Sequence, residues 1–196
     1  MPRKPRDVVP GGVYHVYARG NRRERIFLND QDRRHYLAIW GSVAEDLDWS
    51  CLAYCLMDNH VHHLVEVPNA DLATGVQLAH GTYARYFNDS HEKVGHVFQG
   101  RFGSSRGKTR GALWYFASYV VLNPVRASMC ERPEEHPWSS RAAVLGAAPR
   151  PRWLAVDRLL SLFESSDGSP LDRYAYVVEA IRTMGAAGFE PATSRV

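Results

Sequence analysis

Two short, largely apolar runs, residues 50–57 and 60–67, are separated only by Asp58-Asn59, and they constrain the fold more than any other feature. Runs of this length on either side of a two-residue turn predict an antiparallel β-hairpin. Because no helix joins the two strands, the hairpin favours an antiparallel sheet over a parallel sheet of βαβ units. With helical segments before and after it, the chain is predicted to form an α+β fold, an antiparallel sheet covered by helices.

Further elements follow from residue periodicity and from helix-breaking residues. β-branched and aromatic residues predict a strand over 13–19, whereas residues 94–104 are interrupted by glycine and predict a loop with a short strand. Pro124 is expected to end the helix before it, because proline disfavours a helical conformation in the preceding residue, and Asn123 then lies at the helix end. Helical patterns cover residues 30–46, 72–88, 110–122, 139–145, 156–163 and 171–183.

Basic residues are concentrated in two segments. Residues 1–35 contain nine Lys or Arg and four acidic residues, residues 36–84 none and six, and residues 85–126 seven and two, giving net charges of +5, −6 and +5. Aromatic residues lie among the basic ones, as in grooves that bind phosphates and stack bases. We therefore expect a nucleic acid partner, although a solvated surface would have the same composition.

The composition also bears on location. No apolar run approaches the roughly 18 residues of a membrane span, and the opening Met-Pro-Arg-Lys-Pro-Arg does not resemble a signal peptide. Three cysteines, Cys51, Cys55 and Cys130, fit a reducing compartment better than a disulfide framework. We expect a cytoplasmic protein without membrane contacts.

His60-Val61-His62 is the first candidate site. On a strand, residues i and i+2 face the same side with Cα atoms roughly 6.5 Å apart, so both imidazoles can reach one metal ion; ordinary packing is the alternative. His63 would face the opposite side, where packing is the simpler interpretation. A zinc site with Cys51 and Cys55 is disfavoured, since these cysteines would lie roughly 13 Å apart on one strand.

Tyr115, Tyr119 and Asn123 form the second candidate site. Each is four residues from the next, so all three project from one face of a helix. They are either an aromatic core stripe with a capping asparagine, or a nucleophilic hydroxyl beside an oxygen ligand for the same metal.

Several segments together resemble the REP-associated tyrosine transposases, relatives of the single-tyrosine transposases of insertion sequences. Departures from similar sequences are Asp58 for a common Pro, His63 for a frequent Leu, and Ser118 and Ser128 for Arg and Gly. The matching segments are residues 12–21, 26–27, 56–65, 95–102, 119–127 and 137–140.

The resemblance implies a ferredoxin-like α+β fold, with His60 and His62, the HUH motif, on a central strand, and a helical C-terminal extension. We divide the chain into a catalytic domain over residues 1–130, the extension over 131–184 and a disordered tail over 185–196. The implied metal ligands are His60, His62 and Asn123, binding Mg²⁺ or Mn²⁺, and Tyr119 is the implied nucleophile. No small-molecule cofactor is expected, and no residue is identified as the general base.

The implied activity is metal-dependent nicking and strand transfer of single-stranded DNA through a 5′-phosphotyrosine, on hairpin-forming repetitive extragenic palindromic DNA. The partner is single-stranded or hairpin DNA, and the protein is a monomer or a homodimer. The alternatives are a DNA-binding regulator of the same family without turnover and an unrelated metallohydrolase. The basic candidates for DNA contact are Arg3, Lys4, Arg6, Arg19, Arg22, Arg101 and Arg126.

Overall fold

A single four-stranded antiparallel sheet organises the computed structural model, which describes residues 8–184. Its strands are β1 (Gly12–Arg19), β2 (Ser50–Leu56), β3 (His60–Val67) and β4 (Gly103–Arg106), in the spatial order β2-β3-β1-β4. The helices are α1 (Asp30–Asp46), α2 (Leu72–Ser90), α3 (Arg110–Arg126), α4 (Arg141–Val144), α5 (Val156–Ser161) and α6 (Pro170–Met184). The succession β1-α1-β2-β3-α2-β4 with this strand order is ferredoxin-like, so the predicted fold class is confirmed and β3 is a central strand.

The predicted hairpin forms, and its turn is tied to the first helix. β2 and β3 pair from Ser50 opposite Glu66 to Leu56 opposite Val61. In the turn, the Asp58 carboxylate accepts from the guanidinium groups of Arg25 at 2.7 Å and Arg33 at 2.5 Å. These ion pairs fix the turn that immediately precedes His60.

Helices α1 and α2 cover one face of the sheet. Asn29 caps α1, because its side chain accepts from the Asp32 N–H while the Asp32 carboxylate accepts from the Asn29 N–H. Tyr36 of α1 and Tyr83 of α2 are fully buried. His63 of β3 is also fully buried, and its Nε2 lies 3.0 Å from the hydroxyl of Tyr36.

The opposite face carries α3, and residues after 130 close one edge of the sheet. Backbone N–H groups of Leu56, Ser140 and Ala155 donate to the carbonyls of Trp138, Tyr54 and Cys51 at 2.9, 3.0 and 2.8 Å. These bonds occupy the outer edge of β2, where an unpaired strand would invite aggregation.

The C-terminal part is helical, as predicted. The boundary at residue 130 stays a prediction, and the predicted disordered tail lies outside the described residues. Between residues 8 and 184, no helix has both the length and the apolar character needed to cross a membrane.

Candidate active site

Neighbouring strands bring several polar side chains to one face of the sheet. Across the pairing of β1 and β3, Tyr17 lies opposite His62 and Arg19 opposite His60. Side chains alternate along β3, so His60 and His62 face α3 while His63 faces α1. The ring centroids of His60 and His62 are 5.0 Å apart. The two histidines therefore share one site.

Helix α3 forms the other side of this site. The ring of Tyr119 lies 5.7 Å from that of His62 and 5.8 Å from that of Tyr115. Tyr115, Tyr119 and Asn123 share one helix face, as their spacing predicts. Strand and helix enclose a cavity of about 370 Å³, which is lined by His15, Tyr17, Ala18, Arg19, His60, His62, Tyr115, Phe116, Tyr119 and Asn123.

The prediction that this helix ends before Pro124, with Asn123 at its end, was wrong, since α3 continues to Arg126. Proline lacks the N–H that would bond to the carbonyl of Val120 in a regular helix. The Asn123 amide nitrogen donates instead to the carbonyl oxygens of Tyr119 at 2.7 Å and Val120 at 3.4 Å. Because both of these neighbours are acceptors, Nδ2 must face the backbone, and Oδ1 lies on the other side of the amide group.

Burial keeps the two candidate ligand histidines neutral. Desolvation, with a smaller effect of Arg19, lowers the pKa of His60 to about 4. Desolvation also lowers the pKa of His62 well below its ordinary value, and the neighbouring His15 and His60 act in the same direction. A neutral imidazole has the free lone pair that a metal ion requires.

The environment of Tyr119, the candidate nucleophile, disfavours ionisation of its hydroxyl. Burial raises the pKa of the Tyr119 hydroxyl, and the positive charge of Arg126 opposes this rise. The guanidinium carbon of Arg126 lies 4.7 Å from the centroid of the Tyr119 ring, in cation–π geometry. Arg126 therefore contacts the candidate nucleophile directly.

Two imidazole nitrogens and one amide oxygen form a donor set that fits Mn²⁺ or Mg²⁺. Within residues 8–184, no three His, Cys, Asp or Glu side chains come together as a metal site, whereas Asn123 adds an amide to the cavity that His60 and His62 line. Cys51 and Cys55 are buried in different surroundings: the Cys51 thiol points to the Ala53 carbonyl and the Cys55 thiol to the Met57 sulfur. They show no sign of the zinc site considered above.

His15 lines the cavity but was not among the predicted site residues. It is 5% exposed, and its Nε2 lies 2.9 Å from Nδ1 of His62. Its ring centroid is 5.4 Å from that of Tyr119. Only the pairing of β1 with β3 places His15 beside His62, and neither strand alone predicts that pairing.

The predicted DNA-contacting residues fall into three groups. Arg19 lines the cavity, and Arg126 stacks on Tyr119. Arg22 and Arg101 are exposed. The remaining three, Arg3, Lys4 and Arg6, lie outside the described residues.

A ferredoxin-like sheet with paired histidines on a central strand, facing a helical tyrosine, defines the class of single-tyrosine HUH proteins. The family model described as "Transposase IS200 like" matches residues 9–120, and the chain belongs to this family. This membership leaves no reason to consider an unrelated metallohydrolase.

Two relatives make the comparison more specific. A Haemophilus influenzae protein named REP-associated tyrosine transposase is 23% identical over 146 residues, covering 69% of this chain and 82% of that protein. A solved structure of a REP-associated tyrosine transposase bound to a REP hairpin has a TM-score of 0.60 at 19% identity, covering 76% of this chain and 89% of that one. The resemblance to REP-associated tyrosine transposases is thereby confirmed.

Proposed function

We propose that this transposase nicks and rejoins single-stranded DNA, with Tyr119 as the nucleophile and with a divalent metal ion held by His60, His62 and Asn123. The observation that carries the proposal is that these four side chains, drawn from β3 and α3, line a single cavity. A DNA-binding regulator of the same family would need the basic surface but would have no use for this arrangement.

In the proposed reaction, the Tyr119 oxygen attacks a backbone phosphorus and forms a phosphotyrosine ester. The bond to the 3′-oxygen of the preceding nucleotide breaks, and that oxygen takes up a proton and leaves as a free 3′-hydroxyl. The phenolic proton is released to solvent or to a base that we do not assign. Attack by a 3′-hydroxyl on the 5′-phosphotyrosine reverses these steps and joins DNA without ATP.

The side chains around the cavity divide this work. The two imidazoles and the Asn123 oxygen would hold a divalent metal ion, which would supply positive charge close to the phosphate. Arg19 adds positive charge at the cavity wall, and Arg126 packs on the Tyr119 ring and opposes the burial that suppresses its ionisation. Tyr17 and Tyr115 place aromatic rings at the cavity wall, where unpaired bases could approach them.

The proposed substrate is single-stranded or hairpin-forming repetitive extragenic palindromic DNA. The support comes from the basic segments of the chain and from the solved relative, which is bound to a REP hairpin. Arg19, Arg22, Arg101 and Arg126 are the proposed DNA contacts among the described residues, and Arg3, Lys4 and Arg6 remain candidates from the sequence. Monomer and homodimer are both compatible with this role.

The direct test is covalent capture of DNA. The protein is incubated with Mn²⁺ and end-labelled hairpin DNA taken from beside its own gene, and adducts are separated by denaturing electrophoresis. We expect an adduct with the wild type, none with Tyr119→Phe, and an adduct with the matched control Tyr115→Phe. An adduct that persists in Tyr119→Phe would place the nucleophile elsewhere.

Two further arms separate the metal role from the regulator alternative. Cleavage should stop with EDTA and in His60→Ala, and undiminished cleavage in either case would remove the proposed metal role. Hairpin binding by the wild type without cleavage in Mn²⁺ or Mg²⁺ would instead favour the regulator.

A further inference from the structure

The imidazole of His60 is hydrogen-bonded to the side chain of the preceding residue, Asn59. Its Nδ1 lies 2.7 Å from Oδ1 of Asn59, and the Asn59 Nδ2 donates to the carbonyl oxygen of Arg23 at 3.0 Å. The carbonyl of Arg23 can only accept, so the orientation of the Asn59 amide is fixed with its oxygen toward His60. An oxygen acceptor at Nδ1 requires the proton there, which leaves the lone pair of His60 on Nε2.

His62 is held in the same way by a residue of the neighbouring strand. The Nε2 of His15 lies 2.9 Å from Nδ1 of His62, and the two rings are stacked with centroids 5.1 Å apart. Both side chains are buried, at 5% and 7% exposure, so water does not readily replace either partner. One nitrogen must donate and the other accept. If His15 donated, the proton of His62 would lie on Nε2 and that nitrogen would have no lone pair.

We propose that Asn59 and His15 are positioning residues that hold His60 and His62 as their Nδ1–H tautomers, so that both Nε2 lone pairs are available to one metal ion. The inference rests on the proposed function in assigning the lone pairs to a metal and in choosing the His62 tautomer, because the contact between His15 and His62 allows either ring to donate. The tautomers themselves are a property of the metal-free protein.

The acceptors of the two positioning contacts differ from those that ligand histidines usually have. Ligand histidines usually donate their second N–H to a carboxylate or a backbone carbonyl, and loss of such a partner typically weakens metal binding 10- to 100-fold. Here the acceptors are an amide oxygen and a neutral imidazole nitrogen. They fix the ring orientations without adding negative charge close to the position of the DNA phosphate.

The tautomers can be read directly from the metal-free protein. Full-length protein with ¹⁵N-labelled histidine is studied by long-range ¹H–¹⁵N correlation at pH 7.5, and the signals are assigned with His60→Gln and His62→Gln. We expect protonated Nδ1 and unprotonated Nε2 in both residues. A protonated Nε2 in His62 would overturn the proposal for His15, and a protonated Nε2 in His60 would overturn it for Asn59.

A second measurement follows metal affinity rather than activity. Binding of Mn²⁺ is titrated by the electron paramagnetic resonance signal of the free ion in the wild type, His15→Leu and Asn59→Leu. We expect the Kd to rise about 10- to 100-fold in each variant, whereas Asn59→Asp, which keeps an oxygen acceptor but loses the donor to the Arg23 carbonyl, should regain part of the affinity. The exposed His35 offers a matched control, and His35→Gln should bind Mn²⁺ as the wild type does.

The outcomes distinguish this inference from the proposed function. Wild-type affinity in His15→Leu and Asn59→Leu would overturn the inference and leave the metal site intact. Absence of Mn²⁺ binding in the wild type would refute the metal role, while the tautomers measured without metal would still decide the positions of the protons. The same spectra decide the question if a leucine variant fails to fold.

Discussion

His63 follows the candidate ligand pair directly but belongs to a different environment. Its imidazole stacks on Trp40 with centroids 3.6 Å apart, and its Nε2 bonds to Tyr36. Its Nδ1 is buried and has no hydrogen-bond partner among the described residues. A buried polar atom without a partner costs stability. The contacts with Trp40 and Tyr36 agree with the packing interpretation that the position of His63 on the opposite strand face predicts.

Replacement of His63 by leucine should make the protein less sensitive to acid. Burial lowers the pKa of His63 well below 6.5, whereas the unfolded chain retains about 6.5. The unfolded state therefore binds the proton better, and stability falls as the pH drops below about 6.5, by up to about 1.4 kcal/mol per pH unit for each such group. The free energy of unfolding is measured with urea at pH 7.5 and at pH 5.0. Its decrease between the two pH values should be smaller in His63→Leu than in the wild type, by up to about 2 kcal/mol. His35→Leu, at an exposed position, should behave as the wild type, and parallel pH dependences of His63→Leu and wild type would contradict the argument.

Arg22 is an exposed candidate for a phosphate contact at the end of β1. If it neutralises one phosphate, Arg22→Gln should weaken hairpin binding across sequences and reduce the slope of log K against log salt by about one. Arg152, also exposed but outside the two basic segments, is a matched control. Binding titrations between low and physiological salt provide the measurement, and an unchanged slope in Arg22→Gln would remove this residue from the interface.

Helix α3 ends in a Schellman motif, and Ser128 occupies the position of this motif where glycine is preferred. The N–H groups of Ser128 and Met129 donate to the carbonyls of Val125 and Pro124, both at 2.9 Å. Ser128 has φ of 55°, in the left-handed region where glycine is preferred. This geometry gives a physical reason for the glycine that similar sequences often have at this position.

Ser128→Gly should therefore stabilise the protein. Relief of the left-handed conformation is worth about 1 kcal/mol, after part of the gain is lost to the greater freedom of glycine in the unfolded chain. Chemical denaturation should show a higher midpoint for Ser128→Gly and no comparable gain for Ser128→Ala. Equal midpoints for the glycine variant and the wild type would indicate that the motif is not strained.

At the scale of elements, strong local patterns were sufficient for most of the fold. The apolar spacing predicted α1, and the Asp58-Asn59 turn predicted the hairpin. Pro124 misled the prediction for α3, because the Asn123 side chain replaces a backbone donor and local rules do not include that exchange. His15 was missed because strand pairing is a long-range property. His60, His62 and Tyr119 were placed together by family resemblance, and the structure adds the cavity that they line.

For the molecule as a whole, the segment after residue 130 contributes buried side chains to the hydrophobic core. Trp114 of α3 stacks on Phe163 with centroids 5.5 Å apart, and Phe163 contacts Tyr174 of α6. Arg158 of α5 forms a two-point ion pair with Glu66 of β3, at 2.6 and 3.0 Å. The helix that carries Tyr119 therefore packs on the C-terminal segment through Trp114.

A chain ending at residue 130 should accordingly fail to fold cooperatively, because it exposes Trp114 and the outer edge of β2. We expect aggregation in size-exclusion chromatography and no sharp thermal transition. A chain ending at residue 184 retains these contacts and should unfold as the full-length protein does. A monodisperse shorter chain with the wild-type Tm would mean that the candidate catalytic residues lie on an independent domain.

Because residues 138–155 bond to the outer edge of β2, this edge stays unpaired during synthesis until those residues leave the ribosome. The ribosome releases His60, His62 and Tyr119 before residues 138–155, whose backbone bonds complete that edge. At roughly 5–20 residues per second, the 36 residues from position 119 to position 155 require roughly two to seven seconds. During this interval the nascent chain has its candidate catalytic residues but an unprotected strand. Pauses in translation within this stretch, or loss of a holding chaperone, should therefore reduce the yield of the protein more than the same disturbance earlier in the message.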